Sequence, residues 1–437
     1  MSHPLAERLQ LVDPVARTGR VTRILPTHIE ADGPSLPLGA LCAVETGNGA
    51  GAVIAAIARV DRASVSLVPF EDRPDTFSGA RVTACAEDDC VPVGDAFLGR
   101  AVDALARPID GGKPVDTIAR GRLRGLDIPA LDRVSPRKRL ETGVRALDAL
   151  LTIGRGQRIG LFAASGVGKT SLMAQLARQV EADRCVICLV GERGREVESL
   201  WHDGLSEDSR EKTVMVAATS DQAAAMRVRA CDLALALADH WRGQGLHVVL
   251  LLDSVTRLAM AMREVGLAAG EPPTVRAYTP SVFAAIPKLV ERCGALRSGG
   301  AITALMTVLS ETDDVDDPVC EMMKSLLDGH IILSRGLAEQ GHFPAIDVPR
   351  SISRLAAGLC SPAERAMAER AIALLSTYDQ SRILIESGVY AAGSNAEIDE
   401  AIARRPALTA FLRQRQDERV AHADAGAALA RLLGKGG

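Results

Sequence analysis

The sequence predicts a chain in three parts: a small N-terminal β-barrel, an α/β core with a largely parallel sheet, and an all-helical C-terminal domain. Three observations predict it. Short apolar runs punctuated by Gly, Pro, Asn and Asp fill residues 19 to about 92. Apolar strand-like runs then alternate with longer helical stretches from about Val134 to Leu355, the signature of βαβ units. After Ser361 and Pro362 strand signals give way to Ala, Arg, Glu and Leu at helical spacing. The expected division is 1–18, 19–92, 93–360 and 361–437, in keeping with roughly one domain per 150 residues.

Within residues 1–18, Leu5, Leu9 and Val12 among polar neighbours fit either a short amphipathic helix or a frayed terminus. The barrel strands are expected at Val21–Ile24, Leu41–Val44, Ala52–Ala55 and Ser64–Val68. A connector rich in turn residues, Arg107 to Pro114, precedes the core. Core helices are expected over Leu172–Val180, Ala223–Trp241 and Val282–Cys293. The C-terminal helices should break at Gly388, Gly393 and Pro406.

Composition excludes several classes. Aromatics are 3% of the chain, and 51 basic residues face 55 acidic ones for a net charge of −4, so neither the electrostatic footprint nor the stacking platforms of a general nucleic-acid binder are present. Nine cysteines do not suggest a disulfide framework, and no N-terminal run has the form of a secretory signal, so a cytoplasmic protein is expected. The longest apolar stretches, such as Val248–Leu252, fall far short of the ~20 residues that cross a bilayer, which allows peripheral membrane association at most. Cys185 and Cys188 lie three apart in a strand-like run, on opposite faces, and read as buried thiols rather than metal ligands.

The chemistry centres on Ala163-Ala164-Ser165-Gly166-Val167-Gly168-Lys169-Thr170, between the strand-like run Arg158–Phe162 and a helix beginning near Ser171. Glycines let backbone N–H groups from Ser165 to Ser171 turn inward as an anion nest, Lys169 adds charge at the β- and γ-phosphates, and the Thr170 hydroxyl suits Mg²⁺. ATP and Mg²⁺ are the expected ligands. Val248–Asp253 reads as a buried parallel strand delivering a carboxylate beside the metal, although a strand-terminal Asp also serves as a helix N-cap. Arg257, four residues on, shares a helical face with Asp253 and can point at the same phosphates or join a surface salt bridge. Glu192 and Arg193 follow the strand Val186–Val190, where Glu192 can orient the attacking water and Arg193 can hold the water or the phosphate; a solvated charge cluster is the alternative.

The loop, Gly191-Glu192-Arg193, Leu252 to Arg257, Gly270-Glu271-Pro272-Pro273 and Asp328-Gly329-His330-Ile331 together resemble the rotary-ATPase catalytic subunits, most closely the flagellum-specific export ATPases of type III secretion. The resemblance runs from about residue 20 to 432. It implies a RecA-like P-loop ATPase core between the barrel and the helical domain, assembled as a homohexamer with nucleotide sites between subunits. It carries the catalytic glutamate onto Glu192, the loop lysine and threonine onto Lys169 and Thr170, the metal-side aspartate onto Asp253, and phosphate-contacting arginines onto Arg193 and Arg257. It also makes Arg354 an arginine finger reaching into the neighbouring site, and Phe343 the aromatic that packs on adenine.

Further partners follow from the same resemblance: a regulatory protein on the N-terminal tail, a central stalk protein, the inner-membrane export gate, and exported flagellar substrates or their chaperones. The acidic run Glu311, Asp313, Asp314, Asp316 and Asp317 reads as a solvated loop or as a contact to a basic stalk. An injectisome ATPase shares every catalytic motif. A proton-translocating synthase subunit is disfavoured because residues 361–437 lack that family's acidic run. In one respect the loop departs from pattern: Ala163 and Ala164 stand where glycine is common, so its first half must keep ordinary backbone angles or accept strain.

Overall fold

The computed structural model describes residues 17–47, 51–72, 74–85, 89–310 and 317–434. Six strands, β1 (Thr18–Ile24), β2 (Ile29–Ala31), β3 (Leu41–Glu45), β4 (Ala52–Val60), β5 (Val65–Pro69) and β6 (Arg81–Ala84), close a barrel in the order β1-β2-β5-β4-β3-β6. Every neighbouring pair is antiparallel, and Thr18↔Thr83 completes the ring. Period-two alternation decides which side chains face inward, as Val53, Ala55 and Ile57 do on β4. The expected runs fall within β1, β3, β4 and across β5. The short β2 and β6 carry too few apolar residues to have stood out.

Downstream, β7 (Cys90–Pro92) pairs with β9 (Arg120–Arg122), while β8 (Arg100–Val102) joins a ten-stranded sheet. The sheet also holds β10 (Arg133–Val134), β11 (Arg158–Ala163), β12 (Arg184–Glu192), β13 (Thr213–Thr219), β14 (His247–Asp253), β15 (Gly294–Leu296), β16 (Ala301–Leu309), β17 (Gly329–Leu333) and β18 (Ile352–Ser353). Its order is β18-β17-β11-β16-β14-β12-β13-β8, and β17 through β8 run parallel. Short antiparallel strands flank it among the described residues: β18 on β17, and β15 with β10.

Helices cover both faces, which is why the central strands read as continuous apolar runs. Val186, Cys188 and Val190 enter one hydrophobic cluster and Cys185, Ile187 and Leu189 the other, so the two cysteines do lie on opposite faces. Burial pushes the Cys185 thiol up to about 12. Among the described residues no group of three His, Cys, Asp or Glu could hold a metal ion, and no helix is long and apolar enough to cross a membrane.

The C-terminal helices are Pro362–Glu386, Ala396–Leu412 and His422–Gly434. Ser361 opens the first with a capping box: its Oγ accepts from the Glu364 N–H at 3.3 Å, and the Glu364 carboxylate accepts from the Ser361 N–H at 2.7 Å. Gly388 and Gly393, both at positive φ, lie in the break that follows. Pro406 does not break its helix, contrary to expectation; it lies inside Ala396–Leu412. Interior proline costs about 3 kcal/mol. Here the helix buries Ala401 before the proline and Leu408, Phe411 and Leu412 after it, and that packing on both sides holds the backbone in place.

Two histidines are held neutral by burial. His247, 6% exposed at the start of β14, lies 2.8 Å from Thr303 Oγ1, and desolvation lowers its pKa to about 4. Burial, then Arg413 and Arg405, lower His342 to about 4 as well. A depressed histidine pKa contributes stability that is complete above about 6.5 and lost as pH falls toward 4, because the unfolded chain binds the proton first. His247→Gln should therefore lose less stability than the wild type as pH falls from about 6.5 to 4, by about 1–3 kcal/mol, read as the difference between the two chains' thermal midpoints across that window.

Candidate functional site

The loop leaves β11 at Ala163 and enters the helix Lys169–Gln179 at the C-terminal edge of the sheet. Gly166 (φ 80°) and Gly168 (φ 92°) supply the left-handed turns. Ala163 and Ala164 do not take positive φ, so the loop's first half uses ordinary angles, and their methyls are buried with Val167 in the sheet's hydrophobic cluster. Ser165 and Gly166 are exposed, whereas Lys169, Thr170 and Ser171 are half-buried in the first helical turn, whose N–H groups have no intrahelical acceptor.

Four charged side chains converge there. Lys169 Nζ lies 2.6 Å from Asp253 Oδ1 and 3.2 Å from Glu192 Oε1. Arg257 Nη1 stands 2.6 Å from Glu192 Oε2 and also donates to the Gly191 carbonyl. Thr307 Oγ1 donates to Asp253 Oδ1 at 2.7 Å. Glu192 and Asp253 are only 3% and 2% exposed. Burial holds the Asp253 carboxyl above the usual carboxylate range, and the Lys169 charge offsets only part of that.

Two local devices assemble this quartet. The β12–β13 register shifts between Val190 and Glu192, with Gly191 at φ 71°, which re-aims Glu192 at the strand end. A Cβ on Gly191 would stand 3.1 Å from the Arg257 side chain, so glycine also admits the guanidinium. Ser254, not Asp253, caps the helix Val255–Ala268 by accepting from the Arg257 N–H. Asp253 is left to the loop lysine. A buried ion cluster is weak evidence for stability, since apolar residues of similar volume serve as well, so its position at the edge where doubly wound sheets bind ligands marks a site.

The remaining candidates separate. Arg193 is exposed and gives its backbone to the N-cap of the helix Gly194–His202, while Glu192 pairs with Lys169 and Arg257. Phe343 lies beside the loop, its ring 3.3 Å from where a Cβ on Gly168 would stand, and it is 44% exposed. Arg354 is not brought to the loop. Its N–H donates to the Asp328 carbonyl, and the Asp328 N–H donates to the Arg158 carbonyl, which puts it level with the start of β11. At about 3.3 Å per residue the two ends of β11 stand roughly 17 Å apart.

Asp317 caps the helix Pro318–Leu326 through the N–H groups of Val319 and Cys320; Glu311, Asp313, Asp314 and Asp316 lie outside the described residues, as do residues 1–16 of the tail. Sequence reasoning missed the pairings themselves: Lys169 with Asp253 and Glu192, Arg257 with Glu192, and Thr307 with Asp253. The only sequence signal for the last is a hydroxyl near the end of the apolar run Ala304 to Leu309.

The nucleotide loop, the parallel sheet and the carboxylates at its edge define a P-loop ATPase. The family model described as the ATP synthase alpha/beta family, nucleotide-binding domain, matches residues 143–353, and that of the T3SS EscN ATPase C-terminal domain matches 360–431. A flagellum-specific ATP synthase of Bacillus subtilis is 42% identical over 98% of both chains, and an SPI-2 type 3 secretion system ATPase of Salmonella typhimurium is 40% identical over 96% of both. The assembled ATPase EscN of enteropathogenic E. coli superimposes with a TM-score of 0.89 at 37% identity, over 95% of this chain and all of that one. The chain belongs to the type III export ATPases of the ATP synthase alpha/beta family, and it hydrolyses ATP to drive that export.

Gly168→Ala should weaken binding of a fluorescent ATP analogue by about tenfold or more, because its φ of 92° costs an alanine ~1–2 kcal/mol and the new methyl meets Phe343. Gly166→Ala, with no atom within 4 Å of the added methyl, should cost less in the same titration.

Proposed function

We propose that this chain couples Mg²⁺-dependent ATP hydrolysis to flagellar protein export, in a homohexameric ring whose sites lie between subunits. The observation that carries the reading is the quartet at the mouth of the loop, in which the buried carboxylates of Glu192 and Asp253 meet the half-buried Lys169 and Arg257. Its charges cancel without nucleotide. An incoming triphosphate gives both cations stronger partners, so they can turn from the carboxylates toward phosphate oxygens.

Backbone N–H groups from Ser165 to Ser171, with Lys169, hold the β- and γ-phosphates, and Phe343 packs on the base. For Mg²⁺ the fitting donors are the Thr170 hydroxyl and the Asp253 carboxylate, a sparse oxygen set suited to an ion that keeps waters and substrate phosphates as its other ligands. When bound, Mg²⁺ supplies neutralisation of phosphate charge. Glu192 Oε1, once Lys169 turns away, accepts a hydrogen bond from the attacking water and takes its proton. Arg257 and Arg193 balance charge on the γ-phosphate. Arg354 stands too far from its own loop to contribute there, which supports its acting as a finger in the next subunit's site.

The stalk reading is supported by the EscN structure in complex with its central stalk EscO, to which this chain is 36% identical with a TM-score of 0.87. On this reading the acidic segment 311–317 faces the stalk, residues 1–18 bind a regulator, and the ring works in the cytoplasm at the inner-membrane export gate, receiving flagellar substrates or chaperones. The EscN-type C-terminal match favours an injectisome as the second reading. Disrupting the gene separates them: loss of flagellar filaments supports the first, and intact filaments with lost effector secretion the second.

Glu192→Gln should bind ATP with near wild-type affinity while turnover falls about 10²–10⁴-fold; wild-type turnover would remove Glu192 from the mechanism. Arg354→Ala and Lys169→Ala chains, each inactive alone, should regain part of the activity when mixed, since one class of interface then joins an intact loop to an intact finger. Absence of rescue at every mixing ratio would count against a shared site.

A further inference from the structure

We infer that Thr307 is a positioning residue for the metal-side carboxylate, setting the orientation in which Asp253 receives Mg²⁺; this rests on the reading of Asp253 above. Thr307 stands near the end of β16, the strand between the loop strand β11 and the Asp253 strand β14. It pairs with Leu161 of β11, and the β14–β16 register runs to Leu252 against Met306, one residue short of Asp253 and Thr307. The side chain is 1% exposed, in the run Ala304, Leu305, Met306, Val308.

A hydroxyl there is costly to bury unless it is hydrogen-bonded, and valine would fill the same volume. Its hydrogen bond goes to Asp253 Oδ1 at 2.7 Å. The carboxylate needs such a donor. The terminal torsion of an aspartate is broad and roughly two-fold, so the carboxylate plane is not set by its own rotamer. Lys169 also reaches Oδ1, at 2.6 Å, but on a long flexible stem, and the nucleotide phosphates compete for it. Thr307, stiff at χ1 and anchored on a central strand, is the donor that stays when Lys169 turns away. Partners of this kind, one step behind a metal ligand, are worth about 10–100-fold in metal affinity or activity.

The test uses full-length Thr307→Val, Thr307→Ser and Asp253→Asn chains, with a fluorescent ATP analogue titrated in EDTA and across a Mg²⁺ series, and thermal midpoints measured alongside. Thr307→Val should raise the Mg²⁺ concentration needed for half of the Mg²⁺-induced change in analogue affinity by about tenfold, while affinity in EDTA stays within about twofold. Thr307→Ser, which keeps the hydroxyl, should stay within about threefold of wild type, and should do so even if the valine chain fails to fold. The inference is overturned if valine leaves the Mg²⁺ requirement unchanged, if it weakens Mg²⁺-free binding equally, or if serine behaves like valine. Asp253→Asn should lose the Mg²⁺ effect; if it keeps a wild-type Mg²⁺ response, the metal reading of Asp253 fails, whereas loss in Asp253→Asn with no change in Thr307→Val fails the positioning role alone.

Discussion

Two carboxylates with almost no access to water, Glu192 and Asp253, stand at the edge of a parallel sheet, where Lys169, Arg257 and the Thr307 hydroxyl meet them. Removing water raises the cost of any unpaired charge, so each of the four depends on the others. This constraint reaches deep into the fold. The register of β12 against β14, Leu189 with Asp253, sets the height of the aspartate, and the irregularity at Gly191 sets that of the glutamate. Lys169 arrives from β11 across the intervening β16.

The same interdependence suits the site to its chemistry. The two carboxylates are buried while both cations are partly open to solvent, so an anionic ligand can reach the cations directly. The cations rest on carboxylates and are ready for phosphate. On the proposed roles, the groups for phosphate and the group for the attacking water are linked by direct contacts, Lys169 and Arg257 both meeting Glu192.

Phe343, beside the loop, is held differently. The Phe343 carbonyl accepts from the Gln414 N–H at 2.9 Å; the Gln414 side chain, 5% exposed, accepts from the Arg145 N–H at 2.8 Å and donates to the Gly143 carbonyl at 2.7 Å. The position of the aromatic thus depends on the C-terminal helical region, while the phosphate loop depends on the sheet. At the far end of β11, Gln157 donates to the Ser353 hydroxyl and Arg158 pairs with Asp328, whose carbonyl receives the Arg354 N–H. One strand carries the loop at one end and the footing of Arg354 at the other.

Sequence alone determined the features that rest on local rules. Alternation marked most barrel strands, continuous apolar runs marked the buried parallel strands, and glycines before a helix marked the loop's left-handed turns; each follows from the periods and backbone freedom of a few adjacent residues. The allowance that Ala163 and Ala164 keep ordinary angles was of the same kind. What only the tertiary structure decided are contacts between residues far apart in the chain. Arg257 rather than Arg193 took Glu192, because the bulge at Gly191 turned that side chain toward the helix behind it. Pro406 stayed inside a helix because packing on both sides outweighed a local rule. Thr307 reached Asp253, 54 residues away, because parallel strands bring it there, and no local pattern in the run around it points to that partner.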